Sequence, residues 1–102
     1  MATTSAGLQP IAPGQVGLHG ELDHHTVVQL LEHSRELFAA AHEGQVTLDL
    51  SAVSYSDSTG VALLVEWLKI ARRRQIQLTL SNLPTQMRAL IQVSGLTELL
   101  SV

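Results

Sequence analysis

The chain contains no cysteine. That excludes a disulfide framework, thiolate chemistry and cysteine metal sites, and it fits a reducing compartment. Aromatic residues make up only 3% of the 102 positions, so the core must be built from Leu, Val, Ile and Ala. A nucleic-acid binder that stacks bases on aromatic rings lacks its means here. Charge is sparse as well: charged residues are 15% and the net charge is −3. No basic field exists to draw in a phosphate backbone. The longest apolar run, Val61 to Leu68, is interrupted by Glu66 and closed by Lys69, too short to cross a bilayer. Met1 to Gly14 is rich in Ala, Thr, Ser and Pro, with no basic start and no long apolar stretch, so it does not read as a secretion signal. The sequence therefore reads as a cytoplasmic protein that neither inserts into a membrane nor binds nucleic acid. It shows no repeat and no internal linker, so residues 1–102 are expected to form one domain, with 1–7 flexible.

Hydrophobic residues at 45% argue against disorder and supply one core. Val16 and Leu18 alternate with Gln15, Gly17 and His19, the period of a strand closed by Gly20. A weaker edge strand is expected around Leu8 to Ile11, between Pro10 and Pro13 constraints. Asp23 and Thr26 are candidate helix caps, and Thr26 with Gln29 fits a capping box. Val27, Leu30, Leu31, Ser34, Phe38 and Ala41 then recur at helical spacing, with Gly44 as the stop. Gln45 to Leu50 reads as the next strand. A helix follows to about Arg74, then a strand over Ile76 to Leu80. Asn82 and Pro84 turn the chain into a third helix that ends at Gly95. Leu96 to Val102 is a short apolar tail expected to dock on the body.

This β-α alternation implies an α/β fold with a mostly parallel sheet. Gln15, His19, Gln45, Thr47, Asp49, Gln77 and Thr79 occupy alternate strand positions. Strands covered on both faces would be continuously apolar. A small sheet with helices on one face is expected, rather than a doubly wound one.

The candidate site is Asp57-Ser58-Thr59-Gly60, between the second strand and the apolar helix that starts at Val61. Free backbone N–H groups and the helix dipole favour negative oxygen there. Two readings stand for Ser58 and Thr59: a helix cap, or a hydroxyl that is phosphorylated or touches a partner. Asp57 would repel a phosphate on Ser58, so such a phosphate would break a contact with a partner rather than make an internal one. Gly60 permits close backbone approach. A hydrolytic nucleophile is not expected, because Ser56-Asp57-Ser58-Thr59-Gly60 lacks the first glycine of a nucleophile elbow.

Asp23-His24-His25 has no second ligand pair at metal spacing and reads as a solvated loop. Arg72-Arg73-Arg74 falls where cations offset the negative end of a helix dipole. Leu63, Trp67 and Ile70 form a second apolar stripe on the central helix. Either they are core, or they make a docking surface beside Ser58.

Together Gly20-Glu21-Leu22-Asp23, Leu48-Asp49-Leu50, Asp57-Ser58-Thr59-Gly60 and Val93-Ser94-Gly95-Leu96 resemble the STAS domain over nearly the whole chain. The resemblance implies a SpoIIAA-like fold, a small mixed and mostly parallel sheet with helices on one face. Two subfamilies are implied. Gly20 to Thr26 is similar to the anti-sigma factor antagonists, in which the serine at the position of Ser58 is phosphorylated by an anti-sigma factor kinase. Ala62-Leu63-Leu64, Leu83-Pro84 and Gln92 to Leu100 resemble the MlaB-like subunits of Mla phospholipid transporters. Those are non-catalytic, bind the ABC transporter ATPase and reach the inner membrane only through that complex. They often carry Thr where this chain has Ser58. The MlaB-like reading is the one expected. It places Asp57, Ser58, Thr59 and Gly60 in the partner-binding or phosphorylation loop and Ser56, Leu63 and Trp67 at the interface. No cofactor is expected.

Overall fold

Val16, Leu18, Val46, Leu48 and Leu50 are all buried, while their neighbours Gln15, His19, Thr47 and Asp49 are exposed or half-buried. This period of two gives the sheet one core face and one open face. The computed structural model describes residues 5–102. Its order is β1 (Ala6–Ala12), β2 (Gln15–Leu22), α1 (Thr26–Glu32), α2 (Ser34–Ala39), β3 (Gln45–Ser56), α3 (Ser58–Arg73), β4 (Gln77–Ser81), α4 (Thr85–Val93) and α5 (Thr97–Leu100). The four strands lie in the order β1-β2-β3-β4. β1 is antiparallel to β2, whereas β2–β3 and β3–β4 are parallel.

The weak N-terminal strand is present and lies at an edge. Of the stretch 1–7 expected to be flexible, residues 1–4 lie outside the described residues. Ala6 and Gly7 already pair with Gly20 and His19. That pairing is tight: a Cβ on Gly20 would sit 2.0 Å from the Ser5 carbonyl oxygen, and its φ of +100° is one that other residues avoid.

The expected single helix after Asp23 is two. Ser34 donates its hydroxyl to the Leu31 carbonyl at 2.7 Å, and His33 departs from helical geometry at φ −97°, ψ 13°. The hydroxyl competes for a helix carbonyl and bends the chain. Helix α2 stops at Ala39. Glu43 and Gly44, both at positive φ, form a tight turn between His42 and Gln45 instead of a helix end. The capping box also differs from expectation. Asp23 Oδ1 accepts from Thr26 N–H at 3.0 Å, and Thr26 Oγ1 accepts from Asp23 N–H at 3.0 Å, so Asp23 and Thr26 cap one another.

Helix α3 ends in a Schellman turn, with Ile76 N–H on the Ala71 carbonyl at 2.9 Å and Gln75 at φ 57°. Ile76 is thereby used up as a cap, and β4 starts at Gln77. Gly95 ends α4 in the same way, through Leu96 N–H to the Ile91 carbonyl at 3.0 Å. The apolar tail docks as expected, with Leu100 buried in α5.

Helix α3 touches α1, α4, α5, β3 and β4. A helix packed on so many sides needs apolar residues nearly all round. Leu63 and Trp67 are 2% and 0% exposed, so the second stripe is core. The Trp67 indole N–H donates to Ser34 Oγ at 2.8 Å, which satisfies its one polar group inside the protein.

Candidate functional site

Strands β2 and β3 run parallel and end together, at Leu22 and Ser56. Helices α1 and α3 both start from that edge, so the Asp57–Gly60 loop sits where strand ends meet helix beginnings. This is the part of an open α/β sheet where ligands and partners are met. Two register shifts between β2 and β3 re-aim the last residues of β3 before the loop.

The loop is held by its backbone. Asp57 N–H donates to the Leu22 carbonyl at 3.1 Å. The Gln86 amide of α4 spans both backbone groups of Ser56, accepting from its N–H at 3.2 Å and donating to its carbonyl at 2.6 Å. β3 runs past the end of β4 here, so a side-chain amide replaces the missing strand partner. Ser56 itself is fully buried, and its hydroxyl donates to the Asp57 carbonyl at 2.9 Å. Gly60 lies directly above: a Cβ there would meet Ser56 Oγ at 2.0 Å and Leu22 Cβ at 2.8 Å.

Asp57 is the N-cap of α3, with extended backbone. Its Oδ1 accepts from Thr59 N–H at 2.9 Å and also from the Thr59 hydroxyl. Gly60 N–H donates to the Asp57 carbonyl at 3.1 Å. The cap is thus Asp57, and Thr59 is the hydroxyl tied down by it. Ser58, between them at the first position of α3, is exposed. With these nearby N–H groups already taken, a phosphate on Ser58 would project outward beside the Asp57 carboxylate.

The other end of this edge is the β2–α1 loop. Asp23 Oδ1 accepts from the N–H groups of Thr26 and His25, which hold its carboxyl below the usual value. Between α1 and α3 lies an open groove of about 280 Å³ lined by Val27, Leu31, Thr59, Ala62, Leu63 and Glu66. Leu31 is 40% exposed on its α1 side.

Of the expected site residues, Asp57, Ser58, Thr59 and Gly60 are therefore brought together at one edge. Ser56, Leu63 and Trp67 cannot present an interface, because Ser56 supports the loop from beneath and Trp67 faces the core; Leu63 contributes only to the groove wall. The outward line of α3 is Ser58, Ala62, Glu66 and Lys69, at helical spacing. Ala62 and Leu31 are surface residues; apolar periodicity assigns Leu31 to a packed stripe. Leu31 carries a signal, since it widens the apolar stripe of α1 beyond what one packed face needs.

Residues 9–101 match the family model described as Mlab, STAS domain. Anti-sigma-B factor antagonists are similar along most of the chain. That of Listeria monocytogenes is 31% identical over 83 residues, covering 81% of this chain and 72% of the relative. That of Bacillus subtilis is 30% identical over 89 residues, covering 86% and 79%. Among solved structures, the anti-sigma factor antagonist SpoIIAA in its unphosphorylated form superposes with a TM-score of 0.68 at 27% identity, covering 91% of this chain and 83% of that one. The Bacillus cell fate determinant SpoIIAA in its phosphorylated form gives a TM-score of 0.65 at 27% identity, covering 91% and 86%.

Proposed function

The chain belongs to the STAS domain family, and from that premise we propose that it is a non-catalytic switch module of the anti-sigma factor antagonist type. In this reading the Ser58 loop, the start of α3 and the α1–α3 groove dock on an anti-sigma factor, and phosphorylation of Ser58 by that partner's kinase activity releases it. The observation that carries the reading is the exposed Ser58 at the start of α3, next to a Thr59 hydroxyl that Asp57 already holds. A kinase can reach Ser58 without unfolding the cap. The relatives named as anti-sigma-B factor antagonists and the phosphorylated and unphosphorylated SpoIIAA structures support it. They move the transporter reading, expected from the sequence, to second place.

That second reading keeps one specific support, the match of residues 9–101 to the Mlab-type family model. There the same edge docks on the ATPase subunit of a phospholipid ABC transporter, and the chain comes to the inner membrane only through that complex.

Capture of the tagged chain from its native cell, with mass spectrometry of bound proteins and of Ser58, separates the two. An anti-sigma factor, with phosphate on Ser58 in the unbound fraction, supports the switch. An ABC ATPase with its permease and no phosphate on Ser58 overturns it. On either partner, Ser58→Glu should weaken binding at least tenfold, about 1.4 kcal/mol. Unchanged binding would remove this loop from the interface.

A further inference from the structure

The two edges of the sheet are not alike. β1 carries Pro10, and its register with β2 shifts between Pro10 and Ala12. Proline and bulges are the usual protection of an edge strand against pairing with another chain. β4, at the other edge, has the sequence Gln77-Leu78-Thr79-Leu80-Ser81, with no charge, no proline and no bulge in its pairing with β3. Among the described residues no element pairs with its outer side.

Its hydrogen-bond phase is fixed. Gln77 N–H donates to the Gly44 carbonyl at 2.8 Å. Along a strand, alternate residues turn their backbone groups to opposite sides, so Gln77, Thr79 and Ser81 face β3 and Leu78 and Leu80 face outward. This outward pattern is symmetric about Thr79. Run antiparallel against itself, β4 sets Leu78 opposite Leu80 of the second copy, and Leu80 opposite Leu78 of the second copy. Each pair can exchange both of its bonds. Thr79 meets Thr79 of the second copy on the two-fold axis as the non-hydrogen-bonded pair, and Thr–Thr is a favourable cross-strand pair. Thr79 is exposed, on the open face of the sheet, so nothing has to unpack.

We propose that the chain forms a two-fold dimer by antiparallel β4–β4 pairing centred on Thr79, which joins two four-stranded sheets edge to edge. Because β2 and β3 are parallel to β4 within one copy, the two Ser58 edges then point in opposite directions. Both remain free for a partner, and the dimer is a bivalent module. The inference is independent of which partner Ser58 meets.

Sedimentation equilibrium of the purified chain over a dilution series tests it. The wild type should show reversible dimerisation. Thr79→Lys and Thr79→Glu each place like charges on the axis and should weaken it about fivefold or more. An equimolar mixture of the two variants should restore a dimer. Under mild oxidation Thr79→Cys, the only thiol in its chain, should crosslink to itself, and Gln77→Cys should not. A wild type that is monomeric throughout, or a Thr79→Lys variant that dimerises as tightly as the wild type, overturns the proposal.

Discussion

Replacing Gly60 with alanine sets two effects against each other. Gly60 lies in the first turn of α3, and a glycine in a helix costs about 1 kcal/mol relative to alanine. On propensity alone the substitution stabilises. Against this, the new Cβ would stand 2.0 Å from Ser56 Oγ, 2.8 Å from Leu22 Cβ and 3.2 Å from Leu22 Cδ1. The Ser56 hydroxyl can rotate away only by leaving the Asp57 carbonyl, a loss of about 1 kcal/mol. Leu22 is fully buried at the end of β2 and cannot move freely, and overpacking of this kind costs about 1–3 kcal/mol. The net expectation is a destabilisation of about 1–3 kcal/mol, read as a lower urea midpoint at unchanged slope. Each kcal/mol corresponds to about 4–8 °C in Tm for a domain near this size. Ser56→Ala removes the shortest contact and leaves the Leu22 contact, so the cost of Gly60→Ala should shrink in that background without vanishing. If Gly60→Ala raises the midpoint, the close approach that positions the Ser58 loop is absent and the reasoning fails.

Other expectations follow from the same contacts. Ser34→Ala strands the buried indole N–H of Trp67 and should cost about 1–3 kcal/mol. Trp67 is the one tryptophan, so its fluorescence reports the unfolding directly, and an unchanged midpoint would contradict the bond. Leu63→Ala should cost about 2–5 kcal/mol of stability because Leu63 is core, measured by urea titration. Ala62→Asp, on the exposed line of α3, should leave stability within about 0.5 kcal/mol and weaken partner binding; the reverse pattern would invert the assignment of the two faces. Hydrogen bonds from Thr26 and His25 N–H hold the Asp23 carboxyl below its usual value, and Ser51 N–H and Asn82 do the same for Asp49. The folded state thus favours the ionised forms. Their contribution is complete above the usual carboxylate value and is lost as pH falls through the lowered one. Asp23→Asn should flatten the acid limb of the stability profile, and an unchanged limb would refute the linkage.

Much of the fold is legible in the residues themselves. The alternation of Val16 and Leu18, and of Val46, Leu48 and Leu50, marks both central strands and the open face, because a strand has a period of two whatever it packs against. Gly95 marks the end of α4 because few residues accept its positive φ. The Asp57–Gly60 loop is legible as the junction of a strand and an apolar helix, but the sequence offers Ser58 or Thr59 as the cap, and the choice of Asp57 depends on which side chain reaches the free N–H groups. The break at His33 and the reciprocal cap of Asp23 and Thr26 are less visible. They depend on which of several possible side-chain partners a hydroxyl or carboxylate takes.

What the sequence determined by itself is therefore the local order: the strands, the stop at Gly95 and a Ser-Thr pair at the head of an apolar helix. Only the tertiary structure decided that neither apolar stripe of that helix faces water. Periodicity shows Leu63 and Trp67 as a stripe but carries no information on how many neighbours surround it. Helices α1, α4 and α5 close around α3 and turn that stripe into core. They leave Ala62, Leu31 and the Ser58 loop as the surface. Burial is a property of elements distant in the chain, and no local pattern encodes it.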